Sequence, residues 1–137
     1  MGKKMMPFSV ELFEFLSSKI SAYGYRTSVQ KMFGHEVHFL NGYMFAGANV
    51  NGIFVHVGLN AKKDALESES GVFSFEPLEG MAMKEYLLLG EEVYTDEERL
   101  KKWLELGRRY LLSLPPKDKR SRGVKKNLNQ GNLGKLR

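Results

Sequence analysis

The first hydrophobic pattern in the chain has the period of an α-helix. Apolar residues recur at intervals of three and four between Leu12 and Tyr23, which places them on one stripe of a helix. Ser9 precedes the pattern and can accept a hydrogen bond from a free backbone N–H of the first turn. Gly24 follows it, and glycine readily takes the positive φ that ends a helix. The pattern predicts an amphipathic helix over residues 9–23.

From Thr27 onward, the pattern becomes that of β-strands. Short apolar segments are separated by Asn41-Gly42 and Asn51-Gly52, and Asn-Gly is the dipeptide preferred in two-residue type I′ hairpin turns. Two such turns in succession predict a three-stranded antiparallel meander.

The two turns also predict which residues face each other across the meander. The predicted pairs are Leu40 with Tyr43, His38 with Phe45, Glu36 with Gly47, Val50 with Ile53, Ala48 with Val55, and Ala46 with Val57. Paired residues share a face of the sheet. One face is then entirely apolar and is predicted to be core: Val37, Phe39, Met44, Ala46, Ala48, Val50, Ile53, Val55 and Val57. The other face is mixed in polarity: Glu36, His38, Leu40, Tyr43, Phe45, Gly47, Asn49, Phe54 and His56.

One helix and two strands are predicted after the meander. Residues 60–69 are rich in helix formers behind Asn60, a residue that can cap a helix, and predict a short exposed helix. Apolar segments near residues 72–75 and 83–89 predict two more strands, the second at or near an edge of the sheet.

The last periodic pattern is again helical. Thr95 and Glu98 have the spacing of a capping box, and apolar residues continue at helical spacing to Leu114, where Pro115-Pro116 would end the helix. The order of elements predicts an α+β fold. It consists of an N-terminal helix, an antiparallel sheet of about five to six strands with a short helical insertion, and a C-terminal helix packed on the sheet.

Composition excludes several classes of protein. The chain has 137 residues, the size of one domain. It contains no cysteine, which excludes a disulfide scaffold, a thiolate nucleophile and a cysteine-based metal site, and is typical of a reducing cytosol. Apolar runs such as Tyr86–Leu89 are far shorter than the roughly 18 residues that span a bilayer. We therefore expect a cytoplasmic protein that makes no membrane contact, and no motif predicts a cofactor.

The positive charge is concentrated at the C-terminal end. The formal net charge is +5, but residues 115–137 carry +7 and the rest of the chain −2. We expect one folded domain over residues 1–116 and a basic, flexible tail over residues 117–137. The candidate nucleic-acid-binding residues of this tail are Lys117, Lys119, Arg120, Arg122, Lys125 and Lys126.

Several short motifs occur in the order and spacing of one protein family. They are Lys31-Met32-Phe33-Gly34, Asn41-Gly42-Tyr43-Met44-Phe45-Ala46, Phe75-Glu76-Pro77 with Met83-Lys84, the helix that contains Trp103, and Ser113-Leu114-Pro115-Pro116-Lys117. Over residues 9–117, the chain resembles the TfoX N-terminal domain family, which is found in the TfoX/Sxy regulators of bacterial competence and in short stand-alone proteins. The resemblance implies an α+β fold and a role as a transcriptional co-regulator rather than an enzyme.

Two features separate this chain from the competence regulators. It has His35 and Val37 where the family usually continues its Met-Phe-Gly motif with glycines. It also has the basic tail where those regulators have a second, helical domain. The chain therefore resembles the short stand-alone members.

The three histidines allow a metal-site hypothesis. His35, His38 and His56 could supply imidazole ligands, and Glu36 a carboxylate. The predicted register, however, separates His38 from His56 by two strands, which is about 10 Å. Side chains that stand parallel on one sheet at that distance do not share a zinc ion. We therefore expect solvated or core-rim histidines and no metal.

A catalytic hypothesis rests on Glu36 and His56, which flank Gly47 in the predicted register. Such a pair could perform general acid–base chemistry. The alternative is a polar ladder across a glycine. Because no phosphate loop, dinucleotide fingerprint or nucleophile elbow lies nearby, we predict no catalytic residue.

The mixed face also carries four large apolar side chains. Two explanations are open: these residues pack beneath the N-terminal helix, or they form a contact surface for a protein partner or a second copy of the chain. The four residues are Leu40, Tyr43, Phe45 and Phe54.

These observations lead to two functional hypotheses. The first is a non-enzymatic regulatory or adaptor module that acts through protein contacts. The alternative is a nucleic-acid-associated protein whose basic tail makes non-specific phosphate contacts.

Overall fold

The architecture follows from a computed structural model that describes residues 5–32 and 34–117. In chain order, its elements are α1 (Val10–Ala22), β1 (Ser28–Met32), β2 (His35–Leu40), β3 (Tyr43–Asn49), β4 (Gly52–His56), α2 (Leu59–Ser68), β5 (Val72–Ser74), β6 (Tyr86–Leu89), α3 (Glu91–Tyr94) and α4 (Glu97–Leu112). The strands form one six-stranded sheet in the order β1-β2-β3-β4-β6-β5. All neighbours in the sheet are antiparallel. The predicted α+β fold class is confirmed.

The first helix begins and ends where the sequence predicts. The Ser9 hydroxyl accepts a hydrogen bond from the backbone N–H of Leu12 at 3.2 Å and caps α1. Gly24 follows the helix with φ +77°, the left-handed conformation that costs glycine little. Phe13, Leu16 and Ile20 form its buried stripe.

The final helix begins one residue later than the capping box predicts. Asp96 is its N-cap, since its side chain accepts hydrogen bonds from the backbone N–H groups of Glu98 and Arg99. Thr95 instead donates its hydroxyl to the carbonyl of Glu91 at 2.7 Å and closes α3. Both residues are suitable N-caps. Thr95 does not cap α4, because it ends the short helix α3, which the pattern did not predict.

The first hairpin turn is confirmed, and the second lies elsewhere. Asn41 and Gly42 have φ values of +57° and +86°, as a type I′ turn requires, and Leu40 pairs with Tyr43. In the second hairpin, Asn49 pairs with Gly52. The loop therefore consists of residues 50–51. The Asn49 side chain accepts a hydrogen bond from the backbone N–H two residues later at 2.8 Å, which stabilises this position of the turn.

The predicted register between the second and third strands is wrong beyond the turn, because β3 contains a bulge. Phe39 pairs with Met44, but His38 pairs with Ala46. Phe45 is thus an extra residue on β3, and an extra residue reverses which side chains share a face. Its ring packs edge-on to Tyr25, with the centroids 6.3 Å apart.

The bulge divides the predicted core between the two faces of the sheet. The side chains that pack against α1 and α4 include Leu40, Phe45, Ala46, Ala48, Ile53, Val55, Leu87 and Leu89. The opposite face carries a second cluster, made of Val37, Phe39, Met44, Phe54, Phe75, Tyr86 and Leu88. Phe75 comes from the segment between β5 and β6, and its ring stacks on Phe54 with the centroids 4.0 Å apart. Val50, predicted as core, is exposed in the second turn.

The helical insertion and the last strand are present with different limits. α2 begins directly after Gly58, so Asn60 lies inside the helix and does not cap it. β6 begins only at Tyr86 and lies between β4 and β5. Among the residues that the structure describes, no helix combines the length and the apolar character needed to cross a membrane.

Candidate functional site

A cleft opens at the end of β4, between the start of α2 and the second half of α4. Its volume is about 580 Å³, which is in the range of small ligand-binding pockets. Val57, Ala61 and Leu106 supply apolar walls, and Glu85, Arg109 and Tyr110 supply the charged and polar groups.

A close backbone approach brings Tyr110 to this cleft. Gly58 has φ +92°, and a Cβ atom there would lie 3.0 Å from Cε1 of Tyr110. The tyrosine ring therefore lies across the backbone of the residue that precedes α2. Only glycine combines that φ with so little space.

The Glu85 carboxylate is the centre of a hydrogen-bond network beside the cleft. Its Oε1 atom accepts one hydrogen bond from Nε2 of His56 at 2.8 Å and another from the hydroxyl of Tyr110 at 3.1 Å. No hydrogen bond from the described residues reaches Oε2. The side chain of Glu85 is 42% exposed, so this second oxygen is available to a ligand.

Both ring nitrogens of His56 are engaged in hydrogen bonds. Nδ1 lies 3.0 Å from the carbonyl of Met44, and Nε2 lies 2.8 Å from the Glu85 carboxylate. Both ring nitrogens of His56 therefore face oxygen atoms of the protein, and neither points to open solvent. The hydrogen bond from His56 is the main cause that lowers the pKa of Glu85, with a smaller contribution from Tyr110. The ring is held by stacking on Tyr86, with the centroids 4.2 Å apart.

Arg109 lies on the rim of the cleft, where it is exposed to solvent and bonded to Glu105. Its side chain is 76% exposed. Its Nε–H donates to Oε2 of Glu105 at 3.3 Å. The positive charge at the rim is thus partly neutralised one helical turn away from the cleft.

The acid–base pair predicted from the register is not assembled. Glu36 pairs with Lys31 on β1 and does not face Gly47. Gly47 instead lies beneath the ring of Phe54, since a Cβ atom at this glycine would be 2.4 Å from Cζ of Phe54. The bulge at Phe45 pairs Gly47 with Val37 instead of Glu36. The shifted second turn pairs Gly47 with Phe54 instead of His56, and Ala48 with Ile53 instead of Val55. The carboxylate partner of His56 is Glu85.

The histidines lie in separate environments. His38 pairs with Ala46, which pairs with Val55, so His38 and His56 point to opposite faces and not to the same face as predicted. Within residues 5–32 and 34–117, no group of three or more histidine or acidic side chains is placed to hold a metal ion.

His38 is held by two hydroxyl groups beneath α1. Its Nε2 and Nδ1 atoms lie 2.8 Å from the hydroxyls of Ser17 and Thr27, and its ring stacks on Phe13. Burial lowers its pKa from 6.5 to about 4. Burial also lowers the pKa of His35, and a backbone hydrogen bond with Met6 partly opposes this shift.

The comparison with protein families decides the assignment. The model of the TfoX N-terminal domain matches residues 22–109, which is more than half of the chain. This chain belongs to the TfoX N-terminal domain family. Among curated proteins and solved structures, none matches it. The TfoX N-terminal domain is not a known enzyme family and indicates a regulatory or adaptor-like module.

The match places most of the cleft within the TfoX N-terminal domain. His56, Glu85 and Arg109 lie inside the matched range, and Tyr110 directly follows it. Sequence reasoning missed both Glu85 and Tyr110. Tyr110 lies within the apolar helical pattern that continues to Leu114, and such a pattern by itself indicates packing and not a binding site. Glu85 was included in a predicted strand, and its only sequence signal is a charged residue directly before the apolar run of β6.

The predicted contact residues are occupied within the TfoX N-terminal domain itself. Leu40, Phe45 and Phe54 are buried, and the bulge places Phe54 on the face opposite Phe45. Tyr43 is half-buried and donates its hydroxyl to the carbonyl of Pro115 at 2.6 Å. The four side chains therefore do not form one exposed surface, because the helices and the segment before β6 cover them.

Of the predicted nucleic-acid-binding residues, only Lys117 is described. Its backbone N–H donates to the carbonyl of Asn41 at 3.0 Å, and its ammonium group lies over the ring of Tyr43. The remaining five residues, Lys119, Arg120, Arg122, Lys125 and Lys126, lie outside the described residues.

Proposed function

We propose that this chain is a non-enzymatic regulatory or adaptor module that acts through protein contact, and that the cleft beside Glu85 is the contact site. The observation that carries the proposal is a carboxylate with one unengaged oxygen in a cleft that has apolar walls and a few polar groups. A few fixed polar groups among apolar walls are typical of recognition sites.

The hydrogen bonds of His56 give no support to a role for this residue as a general base. Both nitrogens of His56 are engaged, one by the carbonyl of Met44 and one by Glu85. A general base needs a free lone pair within reach of its substrate, and both ring nitrogens of His56 already lie against oxygen atoms of the protein. We therefore assign the pair a fixed electrostatic role.

A role in transcription agrees with this proposal. The resemblance to competence regulators implies a co-regulator, and such a protein acts in the cytoplasm by contacting another protein. A second copy of the chain is one partner that would satisfy the proposal.

Site-specific photo-crosslinking tests the contact. A photo-reactive amino acid replaces Asn60, an exposed residue that lines the cleft, in cells that contain the full chain and in nuclease-treated extracts. We expect a discrete adduct with one protein, or a product of twice the mass if the partner is a second copy. The control is the same amino acid at Glu11, an exposed residue of α1 outside the cleft. Equal adducts from both positions, or none from Asn60, would contradict the proposal.

The alternative function is non-specific nucleic-acid binding by the basic tail. A specific observation favours the tail over the body: α4 carries several cations, but Lys102, Arg108 and Arg109 are engaged with Glu69 and Glu105. Phosphate contacts would then depend on Lys117, Lys119, Arg120, Arg122, Lys125 and Lys126.

A salt titration with duplex DNA tests this alternative. Displacement of about six counterions gives a slope near −5 for log K against log salt concentration. Glutamine at all six tail positions should abolish binding, whereas glutamine at the exposed body residues Lys31, Lys63 and Lys84 should leave the slope unchanged. Immeasurably weak binding of the full chain at low salt would contradict the alternative.

A further inference from the structure

We infer that the cleft recognises a lysine side chain presented by a segment of the partner protein. This inference rests on the proposed function, which makes the cleft a protein-contact site. The juxtaposition that carries it is the free Oε2 atom of Glu85, the hydroxyl of Tyr110 and the apolar walls of Val57 and Leu106.

The unengaged oxygen of Glu85 favours a cationic hydrogen-bond donor. The hydrogen bonds from His56 and Tyr110 stabilise the ionised form of Glu85, and these donors occupy Oε1 alone. Oε2 therefore presents a carboxylate lone pair to the cleft. A hydrogen bond between an ammonium group and a carboxylate is stronger than one between neutral groups.

The number of acceptors favours lysine over arginine. The guanidinium group of arginine binds a carboxylate best through both oxygens, and Oε1 already accepts two hydrogen bonds. An ammonium group needs only one oxygen and has further donors. The oxygen of Tyr110, which donates its own proton to Glu85, can accept one of them.

The walls of the cleft suit the stem of a lysine. Val57, Ala61 and Leu106 line it, and lysine buries its methylene chain along apolar surface while its ammonium group stays at a polar site. The ring of Tyr110 adds a face over which a cation is attracted.

Arg109 adds a charge of the same sign at the rim. Because its side chain is 76% exposed and bonded to Glu105, solvent and the neighbouring carboxylate screen its repulsion. Removal of this charge should strengthen cation binding. An anionic ligand would show the opposite dependence, so the residue distinguishes the two ligand classes.

The test uses the full chain and a single-residue probe, Nα-acetyl-lysine methylamide, followed by amide chemical shifts in NMR. We expect saturable shifts at residues 57–61 and at Glu85 and Tyr110. Nα-acetyl-norleucine methylamide, which has an apolar side chain without the charge, should cause none. If Nα-acetyl-glutamate methylamide binds and the lysine probe does not, the inference is overturned.

Substitutions locate the binding chemistry. Glu85→Gln should weaken the lysine probe roughly 10- to 100-fold, because a hydrogen bond to a charged group is lost. Tyr110→Phe should weaken it about 2- to 10-fold, and this variant keeps the inference testable if Glu85→Gln does not fold. Arg109→Gln should tighten binding by about 2-fold. Glu36→Gln, at an exposed carboxylate on β2, is the matched control and should have no effect. Unchanged affinity in both cleft variants overturns the inference.

Three further outcomes test the occupant of the cleft and the proposed function separately. If glutamine at Lys119, Arg120, Arg122, Lys125 and Lys126 tightens the probe, a segment of the same chain competes for the cleft, and the assignment to a partner is overturned. If Asn60 crosslinks to a partner but the lysine probe never binds, the proposed contact site stands and the inference that it binds lysine is overturned. If the probe binds with the expected variant pattern and Asn60 gives no adduct, the lysine chemistry stands and the proposed function fails.

Discussion

His38 and His56 are equally enclosed but have different electrostatic partners. They are 5% and 8% exposed, respectively. His38 lies between two neutral hydroxyls under α1, and burial lowers its pKa to about 4. His56 lies between a carbonyl and a carboxylate at the edge of the cleft. The ring of His38 is kept neutral, whereas the ring of His56 lies between two oxygen acceptors.

Burial alone therefore does not identify a functional histidine. Desolvation disfavours a charged ring wherever it acts, but a carboxylate at hydrogen-bond distance opposes this cost. The partner thus distinguishes a residue that stabilises the core from one that shapes a site.

Truncation of the two histidines should show the largest contrast. We expect His38→Ala to lower the free energy of unfolding by about 2–4 kcal/mol, because it leaves a cavity beside Phe13 and two hydroxyls without their partner. His56→Ala should cost less, about 1–2 kcal/mol, since Glu85 is partly exposed and can be solvated. Urea unfolding at pH 7 measures both. Equal losses would remove the contrast.

The pH dependence of the free energy of unfolding should show that His38 is kept neutral in the folded protein. The unfolded chain binds a proton at His38 near pH 6.5 and the folded protein only near pH 4. Stability from this site is therefore complete above about pH 6.5 and falls as the pH drops toward 4, by on the order of 3 kcal/mol in total.

The His38→Gln variant isolates this contribution. Glutamine can hydrogen-bond to both hydroxyls and does not titrate in this range. We expect urea midpoints of the variant to vary less than those of the wild-type protein between pH 6.5 and 4.5. The residual slope belongs to other groups, including His35, whose pKa is also lowered. Identical slopes would mean that His38 is not held neutral.

Removal of one hydroxyl should give the smallest effect on stability. Tyr110→Phe loses a single hydrogen bond to Glu85 and should cost about 0.5–1 kcal/mol. Tyr25→Phe is the matched control, because Tyr25 also donates to a glutamate, Glu105, at 2.7 Å. Thermal unfolding should show a similar small loss for both. Only Tyr110→Phe should weaken the lysine probe, and an equal weakening by Tyr25→Phe would contradict the assignment of the site.

The elements that the sequence predicted well are those with local causes. The cap at Ser9, the glycine stop at Gly24 and the turn at Asn41-Gly42 each depend on residues a few positions apart. The second turn lies one residue earlier than predicted, because the Asn49 side chain and the carbonyl of Pro7 accept hydrogen bonds from its backbone N–H groups. Pro7 is distant in sequence from the turn, so the local pattern of residues does not indicate this hydrogen bond.

The bulge at Phe45 limited the prediction of the site. A bulge adds one residue without a sequence signature when no glycine marks it, and it reversed the faces of β2 relative to β4. Val37, and not Glu36, therefore pairs with Gly47. Glu85 and Tyr110 come from other elements, and no spacing rule joins them to His56.

The amino-acid sequence alone was enough to predict the order of elements apart from α3, the α+β class, the family resemblance and the concentration of positive charge near the C-terminus. These properties follow from local hydrogen bonding, hydrophobic period and residue counts. Only the tertiary structure decided which face each strand buries and which carboxylate meets His56. Those outcomes depend on how α4 packs across Gly58 and on the ring of Phe45, which are contacts between residues far apart in the chain.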